Sequence, residues 1–334
     1  MQNEVKIQST LPRNRGFVSK ILLTPEVSVL IPLLILCVIT GILQTRKFVN
    51  LNNITSILRY TAFIGTLSIG QAMVVMSGEI DLSIGANAGF SGIIFGLAAV
   101  KWGLDPFTSI LLAMIAGGLI GFINGYLVAK FGLVNFITTL ATMFLCRGLQ
   151  VTFSNGAPVS PLPEYYSDFA VARPLFNLSW LFFIMIGLII IMELVVRFTT
   201  IGRKVQAVGG NKEAALMGGI NVMKVKWGAY IFSGVMAGIV GVMWACEMAG
   251  AFQDAGMGAE FRTITACAIG GVSLAGGSGS ILGLGLGVLL IEVLKNCLQC
   301  LSVESNWQLV FIGVILIGAV LVDIVRKNVS ARNV

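Results

Sequence analysis

Long apolar segments alternate with short polar segments along most of this chain. About ten of the apolar segments approach the roughly 20 residues that a helix needs to cross a membrane. The pattern therefore predicts an all-α polytopic membrane protein with about ten transmembrane helices, in a single transmembrane domain over residues 1–334. The predicted spans are residues 27–45, 60–77, 84–100, 107–129, 135–152, 178–196, 227–248, 262–277, 280–297 and 306–325.

Two of the apolar regions are interrupted by polar and glycine-rich sequence. Residues 60–100 contain SGEIDLSIG, and residues 262–297 contain IGGVSLAGGSGSILG. Irregular backbone at membrane depth is tolerated only where it is buried in protein or lines a cavity. These regions are therefore predicted to hold broken helices beside a pathway. The pathway candidates are Glu79, Asp81, Ser83, Gly85, Gly270, Gly271 and Ser273.

Asp81 and Glu79 are the most conspicuous polar residues in the first half of the chain. A carboxylate within a membrane span costs roughly 2.5–3.5 kcal/mol to insert, so it is normally functional or structurally paired. One interpretation is a helix cap, in which Asp81 or Ser83 accepts hydrogen bonds at the start of a half-helix near Ile84. The other is contact with a substrate or an ion. The DLSIG sequence favours the cap.

Residues 197–226 form the longest polar stretch between two predicted spans. Within it, NKEAALM is predicted to form a short helix with Asn211 as its N-cap. Gly209 and Gly210 allow a sharp entry, and Gly218 and Gly219 can end the helix. A simple connector would need far fewer residues. The stretch is therefore predicted to be a docking surface for a soluble partner.

The distribution of positive charge predicts the orientation. If the N-terminus lies in the cytoplasm, threading ten spans places 14 of the 22 lysines and arginines inside and 8 outside. Cytoplasmic segments carry the excess of positive residues. Both termini are therefore predicted to be cytoplasmic, with residues 1–26 and 326–334 as tails and residues 197–226 as a cytoplasmic loop.

Glycine spacing suggests an internal repeat. Gly117, Gly121 and Gly125 form GxxxGxxxG in the fourth predicted span, and Gly279, Gly283 and Gly287 form it in the ninth. These spans run in opposite directions in the threaded topology. The pattern is what an inverted repeat of spans 2–5 and 7–10 would produce. The alternative is generic packing by abundant glycine.

Composition excludes several classes of function. Hydrophobic residues make up 56% and charged residues 11% of the chain, with a mean hydropathy of +0.92, so a soluble fold is excluded. The net charge of +7 is not accompanied by clustered aromatics, so no nucleic-acid partner is expected. Histidine is absent, which excludes a Ser-His-Asp triad and a Cys/His zinc site. The cysteines, including Cys297 and Cys300, are interpreted as helix-packing residues, and no metal or cofactor is expected.

Two further features have less specific interpretations. Glu193, Glu247, Glu292 and Lys295 lie near predicted span ends, where snorkelling to the membrane surface would explain them. The segment from Thr152 to Asn177 is predicted to be the longest external loop. It could dock a partner or cap the pathway, or it could rest at the lipid headgroups.

Several stretches together resemble the permease subunits of bacterial ATP-binding cassette (ABC) sugar importers of the ribose, xylose and galactose type. SGEIDLSIGA resembles the family's GGIDLSVG element, and FITTLATMFLCRGL resembles its TLGT…RGL segment. GRKVQAVGGNKEAALMGGINV is similar to the family's cytoplasmic loop. EFRTITACAIGGVSLAGGSGSILG and NWQLVFIGVILIGAVLVD resemble its last two elements. The resemblance covers nearly the whole chain in the same order.

The resemblance implies a permease that works beside a second copy or a paralogue, with two ATPase subunits and a periplasmic substrate-binding protein, surrounded by membrane lipid. It implies that the coupling loop on the ATPase comprises Gly209, Gly210, Asn211, Glu213, Ala214, Ala215 and Gly219. Three positions depart from the family pattern. Glu79 stands where the family commonly has glycine, and Arg262 and Thr263 replace a Leu-Asp pair.

The leading hypothesis is a permease without ATPase activity of its own, which admits a sugar or related polyol across the inner membrane by alternating access. The rival hypothesis is a secondary transporter coupled to an ion gradient, with Asp81 and Glu79 as ion sites. A membrane enzyme is disfavoured, because histidine and clustered interior carboxylates are lacking.

Overall fold

In the computed structural model, residues 25–331 are described, and these residues form helices joined by short connections. Two isolated backbone bridges, Val159 with Ala251 and Leu175 with Leu178, are the extended pairings in this range. The helices are α1 (Pro25–Leu43), α2 (Thr45–Phe48), α3 (Leu51–Met76), α4 (Ile84–Gly96, continued by a π-helical turn over Leu97–Lys101), α5 (Pro106–Phe131), α6 (Asn135–Ser154), α7 (Glu164–Val171), α8 (Trp180–Phe198), α9 (Thr200–Gly210), α10 (Lys212–Met217), α11 (Val222–Glu247), α12 (Ala259–Ile269), α13 (Ile281–Cys300) and α14 (Ser305–Ala331).

Six of these helices are long and apolar enough to cross a membrane: α4 with its π-helical turn, α5, α6, α8, α11 and α13. Shorter apolar stretches lie at Val29–Leu43 and Asn306–Gly318. The all-α membrane architecture is confirmed, while ten spans remain a prediction. Most of the predicted tail 1–26, and residues 332–334 of the other tail, lie outside the described residues. Residues 326–331 belong to α14.

Polar side chains begin several helices. The Asp105 carboxylate accepts a hydrogen bond from the backbone N–H of Thr108, and Pro106 occupies the first turn of α5. The Asn50 side chain accepts from the N–H of Asn52 at the start of α3. Each cap satisfies a donor that the helix itself leaves unpaired. These helix starts are therefore determined by residues within a few positions in the sequence.

The two predicted interruptions are present. However, the predicted span 262–277 is not one continuous helix. The first break separates α3 from α4 at residues 77–83. In the second region, α12 ends at Ile269, so residues 270–277 do not continue it. Gly271, Gly276 and Gly277 adopt positive φ angles of 82°, 84° and 85°, which only glycine adopts readily. An 11-residue helix rises about 16 Å, roughly half the thickness of a bilayer core.

The first glycine motif brings α5 and α11 into backbone contact. A Cβ atom added to Gly121 would lie 2.1 Å from the carbonyl oxygen of Tyr230, and one added to Gly234 would lie 2.2 Å from that of Gly117. In the second motif, a Cβ on Gly283 would lie 2.3 Å from the carbonyl oxygen of Gly270 on the turn after α12. Both motifs therefore set close helix packing, as small residues do in membranes.

The polar stretch 197–226 is more helical than the prediction of one short helix. The helices α8 to α11 cover most of it. Gly209 and Gly210 are the last residues of α9 rather than part of an open loop. The Asn211 side chain accepts from the N–H of Ala214 at 2.9 Å, so the predicted N-cap of α10 is confirmed. Gly219, with φ of 77°, follows the end of α10.

The segment predicted as the long external loop contains α7 and covers one end of the helix bundle. Val159 exchanges two backbone hydrogen bonds with Ala251, in the connection between α11 and α12. The buried ring of Tyr166 packs edge-on against Phe95 of α4, with 5.1 Å between ring centroids. Burial raises the pKa of the Tyr166 hydroxyl to about 12. This packing supports the capping interpretation of the loop.

Candidate functional site

The starts of α4 and α12 meet inside the helix bundle. A Cβ atom on Gly85 would lie 2.6 Å from the carbonyl oxygen of Gly256, and a Cβ on Gly256 would lie 2.1 Å from that of Gly85. The first residues of the two helices, Ile84 and Ala259, are fully buried, so both helices begin in the interior. Two helix N-termini, each with unpaired backbone N–H groups, are thereby brought to one place.

Asp81 lies just before α4 and is 1% exposed. Its carboxylate accepts hydrogen bonds from the backbone N–H of Ser83 at 2.8 Å and from the Ser83 hydroxyl at 2.6 Å. Its second oxygen accepts from the hydroxyl of Ser233 on α11 at 3.1 Å. The predicted capping role is thus partly correct: Asp81 satisfies the N–H one residue before the helix, whereas Ser83 makes no side-chain cap bond.

A buried polar network extends from Asp81 to neighbouring helices. The Asn124 amide on α5 donates to the Ser83 hydroxyl at 2.8 Å, and the Thr142 hydroxyl on α6 donates to the Asn124 side-chain oxygen. The Asn87 amide on α4 donates to the carbonyl of Gly117 at 3.0 Å. Sequence reasoning missed Asn87, Asn124, Thr142 and Ser233. Their only signal was a single polar residue inside an apolar run.

A second polar cluster lies beside the start of α12. The Arg147 guanidinium on α6 donates to the carbonyl of Ala255 at 2.8 Å and to the Gln150 side-chain oxygen at 3.3 Å. The Gln150 amide donates to the carbonyl of Ala86 at 2.7 Å. Glu260, in the first turn of α12, is buried, and one of its oxygens has no hydrogen-bond partner among the described residues. These residues were also not selected from the sequence.

Glu79, within the first break, forms an ion pair with a residue of another helix. The Lys226 ammonium group on α11 forms an ion pair with the Glu79 carboxylate. The Tyr230 hydroxyl donates to the carbonyl of Ile80 at 3.2 Å. The irregular segment 77–83 is therefore connected to the first turns of α11, where the polar stretch ends.

Three glycine-containing segments meet at the end of α9. A Cβ atom on Gly209 would lie only 1.9 Å from the carbonyl oxygen of Met76 and 2.7 Å from the backbone nitrogen of Gly277. The Gly277 N–H donates to that same Met76 oxygen at 3.0 Å. A Cβ on Gly276 would lie 2.8 Å from the Cα of Gly78. The end of α9 therefore contacts the backbone of both interrupted regions.

The pathway candidates fall into two groups. Glu79, Asp81, Ser83 and Gly85 lie together around the first break. Gly270 packs against α13, where an added Cβ would lie 2.5 Å from the Cα of Leu284. The remaining two candidates, Gly271 and Ser273, belong to the turn after α12.

The helix α10 exposes one face and buries the other. Ala215 is buried with Val208 and Val222 in a small apolar cluster. Leu216 and Met217 are 53% and 86% exposed, an unusual exposure for large apolar side chains. The other coupling-loop candidates on the exposed side of this turn are Asn211, Glu213, Ala214 and Gly219.

The snorkelling explanation is wrong for two carboxylates. Glu193 is buried, and its oxygen accepts from the backbone N–H groups of Ile281 and Leu282 at 2.9 and 3.2 Å, at the start of α13. Glu292 is buried and pairs with Arg262 at 3.1 Å. Both satisfy interior partners that only the folded arrangement brings close.

Comparison with known proteins adds an independent finding. The family model described as "Branched-chain amino acid transport system / permease component" matches residues 53–320. The chain is 36% identical to the ribose import permease protein RbsC of Bacillus subtilis (strain 168), over 87% of this chain and 90% of that protein. It is 33% identical to the L-arabinose ABC transporter permease protein AraH of Azospirillum brasilense, over 86% and 84%. It is 31% identical to the xylose transport system permease protein XylH of Haemophilus influenzae (strain ATCC 51907 / DSM 11121 / KW20 / Rd), over 90% and 96%. No solved structure matches the chain.

Proposed function

Because the chain belongs to this family of transport-system permease components, we propose that it carries a sugar or a related polyol across the membrane. The chain is the permease subunit of an ABC importer, a multi-pass inner-membrane protein, and ATP hydrolysis belongs to partner subunits. The relatives are named for ribose, L-arabinose and xylose, which supports a sugar as the substrate class. The comparisons do not support the ion-coupled alternative.

The ATPase subunits are proposed to act on the permease by contacting and moving α10. Its exposed Leu216 and Met217 offer an apolar surface to an ATPase subunit, and Glu213 offers a charge. The proposed coupling loop also includes Gly209, Gly210, Asn211, Ala214, Ala215 and Gly219. Movement of α10 would reach the interior through the end of α9.

The observation that carries this proposal is the backbone contact of Gly209 with Met76 and Gly277. Because these atoms belong to backbone rather than to flexible side chains, a displacement of α9 has to be accompanied by the ends of both interrupted regions. Alternating access then arises by shifting the two half-helices that meet at Gly85 and Gly256. The proposed pathway residues are Glu79, Asp81, Ser83, Gly85, Gly270, Gly271 and Ser273.

We further propose ten spans arranged as an inverted repeat. The helix α4 packs on α5 and α6, as α12 packs on α13 and α14. The second pattern joins the two halves. The helices α4 and α5 both pack on α11, and their counterparts α12 and α13 both pack on α3. This exchange of partners is what a two-fold axis in the membrane plane would generate. The reciprocal contact of Gly85 and Gly256 would lie close to that axis.

The remaining organisation is proposed on the same basis. Residues 1–334 form one transmembrane domain with both termini in the cytoplasm, residues 1–26 and 326–334 as tails, and residues 197–226 as the cytoplasmic coupling region. The working assembly contains this chain with a second copy or a paralogue, two ATPase subunits and a periplasmic substrate-binding protein. The family membership supports the ATPase and binding-protein partners.

The test compares Gly209→Ala with Gly210→Ala in proteoliposomes that contain the ATPase and binding-protein partners. An added Cβ at position 209 meets backbone at 1.9 Å, whereas one at position 210 meets its nearest atom at 3.7 Å. We expect Gly209→Ala to reduce sugar uptake and substrate-stimulated ATP hydrolysis at least about tenfold, consistent with an overpacking strain of roughly 1–3 kcal/mol. Gly210→Ala should behave like the parent chain. Equal uptake by both variants, at equal ATPase retention, would refute the coupling role.

A further inference from the structure

An apolar groove lies between α9, in the polar stretch, and the helix bundle. Its volume is about 420 Å³. The groove lies against the last turns of α8, the first turns of α9 and α11, and Met73 on α3. The lining side chains are almost all aliphatic or aromatic, including Val195, Val225 and Phe232. The groove can therefore hold an apolar chain, and its size is within the range of small-ligand pockets.

Two lysines are the only charged residues in the lining. Lys204 belongs to α9 and Lys224 to α11, and both are exposed. Neither forms an ion pair within 4.0 Å in the part of the chain that the structure describes. The nearby carboxylates Glu79 and Glu193 are already paired, with Lys226 and Arg197 respectively. The mouth of the groove therefore carries uncompensated positive charge.

The position of the groove matches the surface of the membrane. It lies where α8 ends and α11 begins, which are the polar ends of two helices apolar enough to cross a membrane. At such a level, lysine ammonium groups reach the lipid phosphates while their aliphatic stems stay in contact with apolar surface. Basic pockets between spans on the cytoplasmic side are suited to anionic lipid headgroups.

We propose that the groove binds one anionic phospholipid, with an acyl chain between α8 and α11 and the phosphate held by Lys204 and Lys224. The occupied groove would hold α9 against the bundle, and α9 ends at Gly209. The lipid would thus support the element that transmits movement. This last step rests on the proposed function, whereas the binding site itself does not.

The binding experiment uses the purified full-length chain in detergent and native mass spectrometry. The probes are phosphatidylglycerol, zwitterionic phosphatidylcholine and inorganic phosphate. We expect one phosphatidylglycerol to be retained in preference to phosphatidylcholine. The double variant Lys204→Gln/Lys224→Gln should weaken its binding about 30-fold, since each lysine near an anionic headgroup contributes about fivefold.

Matched variants separate the site from general effects. Lys47→Gln/Lys101→Gln removes the same number of charges from exposed positions outside the groove and should leave binding unchanged. Gly228→Phe places a ring in the groove, where an added Cβ meets nothing within 4 Å, and should abolish binding of the lipid. Gly187→Phe adds the same ring to open space on α8, outside the groove, and should have no effect.

Three results would overturn the proposal. The first is equal retention of the two lipids with no effect of the double lysine variant. The second is full competition by inorganic phosphate, which would indicate a site for free phosphate. The third is a disulfide-linked dimer of Gly228→Cys, which would indicate that a second copy of the chain covers the groove. If Lys204→Gln/Lys224→Gln loses lipid binding but keeps normal sugar uptake, only the supporting role of the lipid in coupling is refuted. If Gly209→Ala loses sugar uptake but binds the lipid normally, the lipid site stands independently of the coupling role.

Discussion

Asp81 shows how one residue can organise a polar interior in an apolar protein. Its two carboxylate oxygens serve donors from the connection before α4 and from α11. The same Ser83 hydroxyl that donates to Asp81 accepts from Asn124. Buried donors without acceptors are costly, so the network needs each of its members. The arrangement fixes the start of α4 relative to α5 and α11.

We expect Asp81→Ala to destabilise the chain by at least about 3 kcal/mol. The substitution leaves one N–H and two hydroxyl donors without their acceptor, and each such buried group costs about 1–3 kcal/mol. Thermal unfolding in detergent, followed by fluorescence-detected size exclusion, measures the change. Asp105→Ala is the control, because it removes an exposed cap worth about 1 kcal/mol. Equal melting temperatures for the two variants would contradict a role for the network.

Glu213 contrasts with the buried Asp81, because it is exposed and forms no hydrogen bond or ion pair to the described residues. Glu213→Gln should therefore change the stability of the chain by no more than about 0.5 kcal/mol. We expect it to lower retention of the ATPase subunit and substrate-stimulated hydrolysis, because the proposed docking surface would lose its negative charge.

The control for Glu213 is Glu164→Gln. Glu164 is also an exposed glutamate in the first turn of a short helix, but α7 and α10 lie at opposite ends of α8. Co-purification of the ATPase from detergent extracts measures the effect. Full ATPase retention with Glu213→Gln, or loss with Glu164→Gln, would place the docking surface elsewhere.

At the scale of helices, the start of α13 is held by another helix. Glu193 projects from α8 to the N–H groups of Ile281 and Leu282, while its other oxygen lies 3.6 Å from Arg197. A negative charge at a helix N-terminus is favourable both as an acceptor and through the helix dipole. The Glu193 carboxylate therefore joins the two helices at this point.

We expect Glu193→Ala to lower the free energy of unfolding by roughly 2 kcal/mol or more, because one buried and one partly buried N–H group lose their acceptor. Glu193→Gln keeps an acceptor oxygen and loses mainly the ion pair with the exposed Arg197, so its effect should stay below about 1 kcal/mol. Chemical unfolding in detergent can rank the two variants. Equal destabilisation by the two variants would show that the charge of Glu193, rather than its hydrogen bonds, holds α13.

At the scale of the whole molecule, the described helix bundle has two opposite ends with different elements. One end contains α9, α10 and the ion pair of Lys226 with Glu79. The other contains α7 and the ion pair of Arg59 with Glu247. The distribution of positive charge predicts that the α10 end is cytoplasmic. The orientation can be measured directly.

We expect Met217→Cys to react with a membrane-impermeant maleimide only in inverted vesicles, and Phe176→Cys to react in intact spheroplasts. Both positions are highly exposed, at 86% and 81%. The background is Cys37→Ser, because the other native cysteines are buried. Labelling of the two sites from the exchanged sides would reverse the proposed topology.

Much of this arrangement could be predicted from local patterns. The apolar segments indicated α5, α6, α8 and α13 to within a few residues, and Asn211 was identified as the cap of α10. The break near Asp81 was located as well. These features depend on neighbouring residues in the chain, so their signals lie within short windows.

Other features could not be predicted, because their partners are distant in sequence. Arg147 meets Ala255, Glu193 meets Ile281, and Lys226 meets Glu79 across separations of 88 to 147 residues. The length of α12 was also overestimated, because apolar composition does not reveal where glycine turns the chain at membrane depth. Such pairings are set by helix packing.

The sequence by itself determined the membrane class, the interrupted helices and the N-cap of α10, because apolar length, glycine and capping residues act locally, and its motifs indicated the family. Only the tertiary structure decided that Gly209 touches both interrupted regions and that Gly85 meets Gly256. Those contacts require glycine for a reason that no local pattern contains: another backbone occupies the space where a Cβ atom would be.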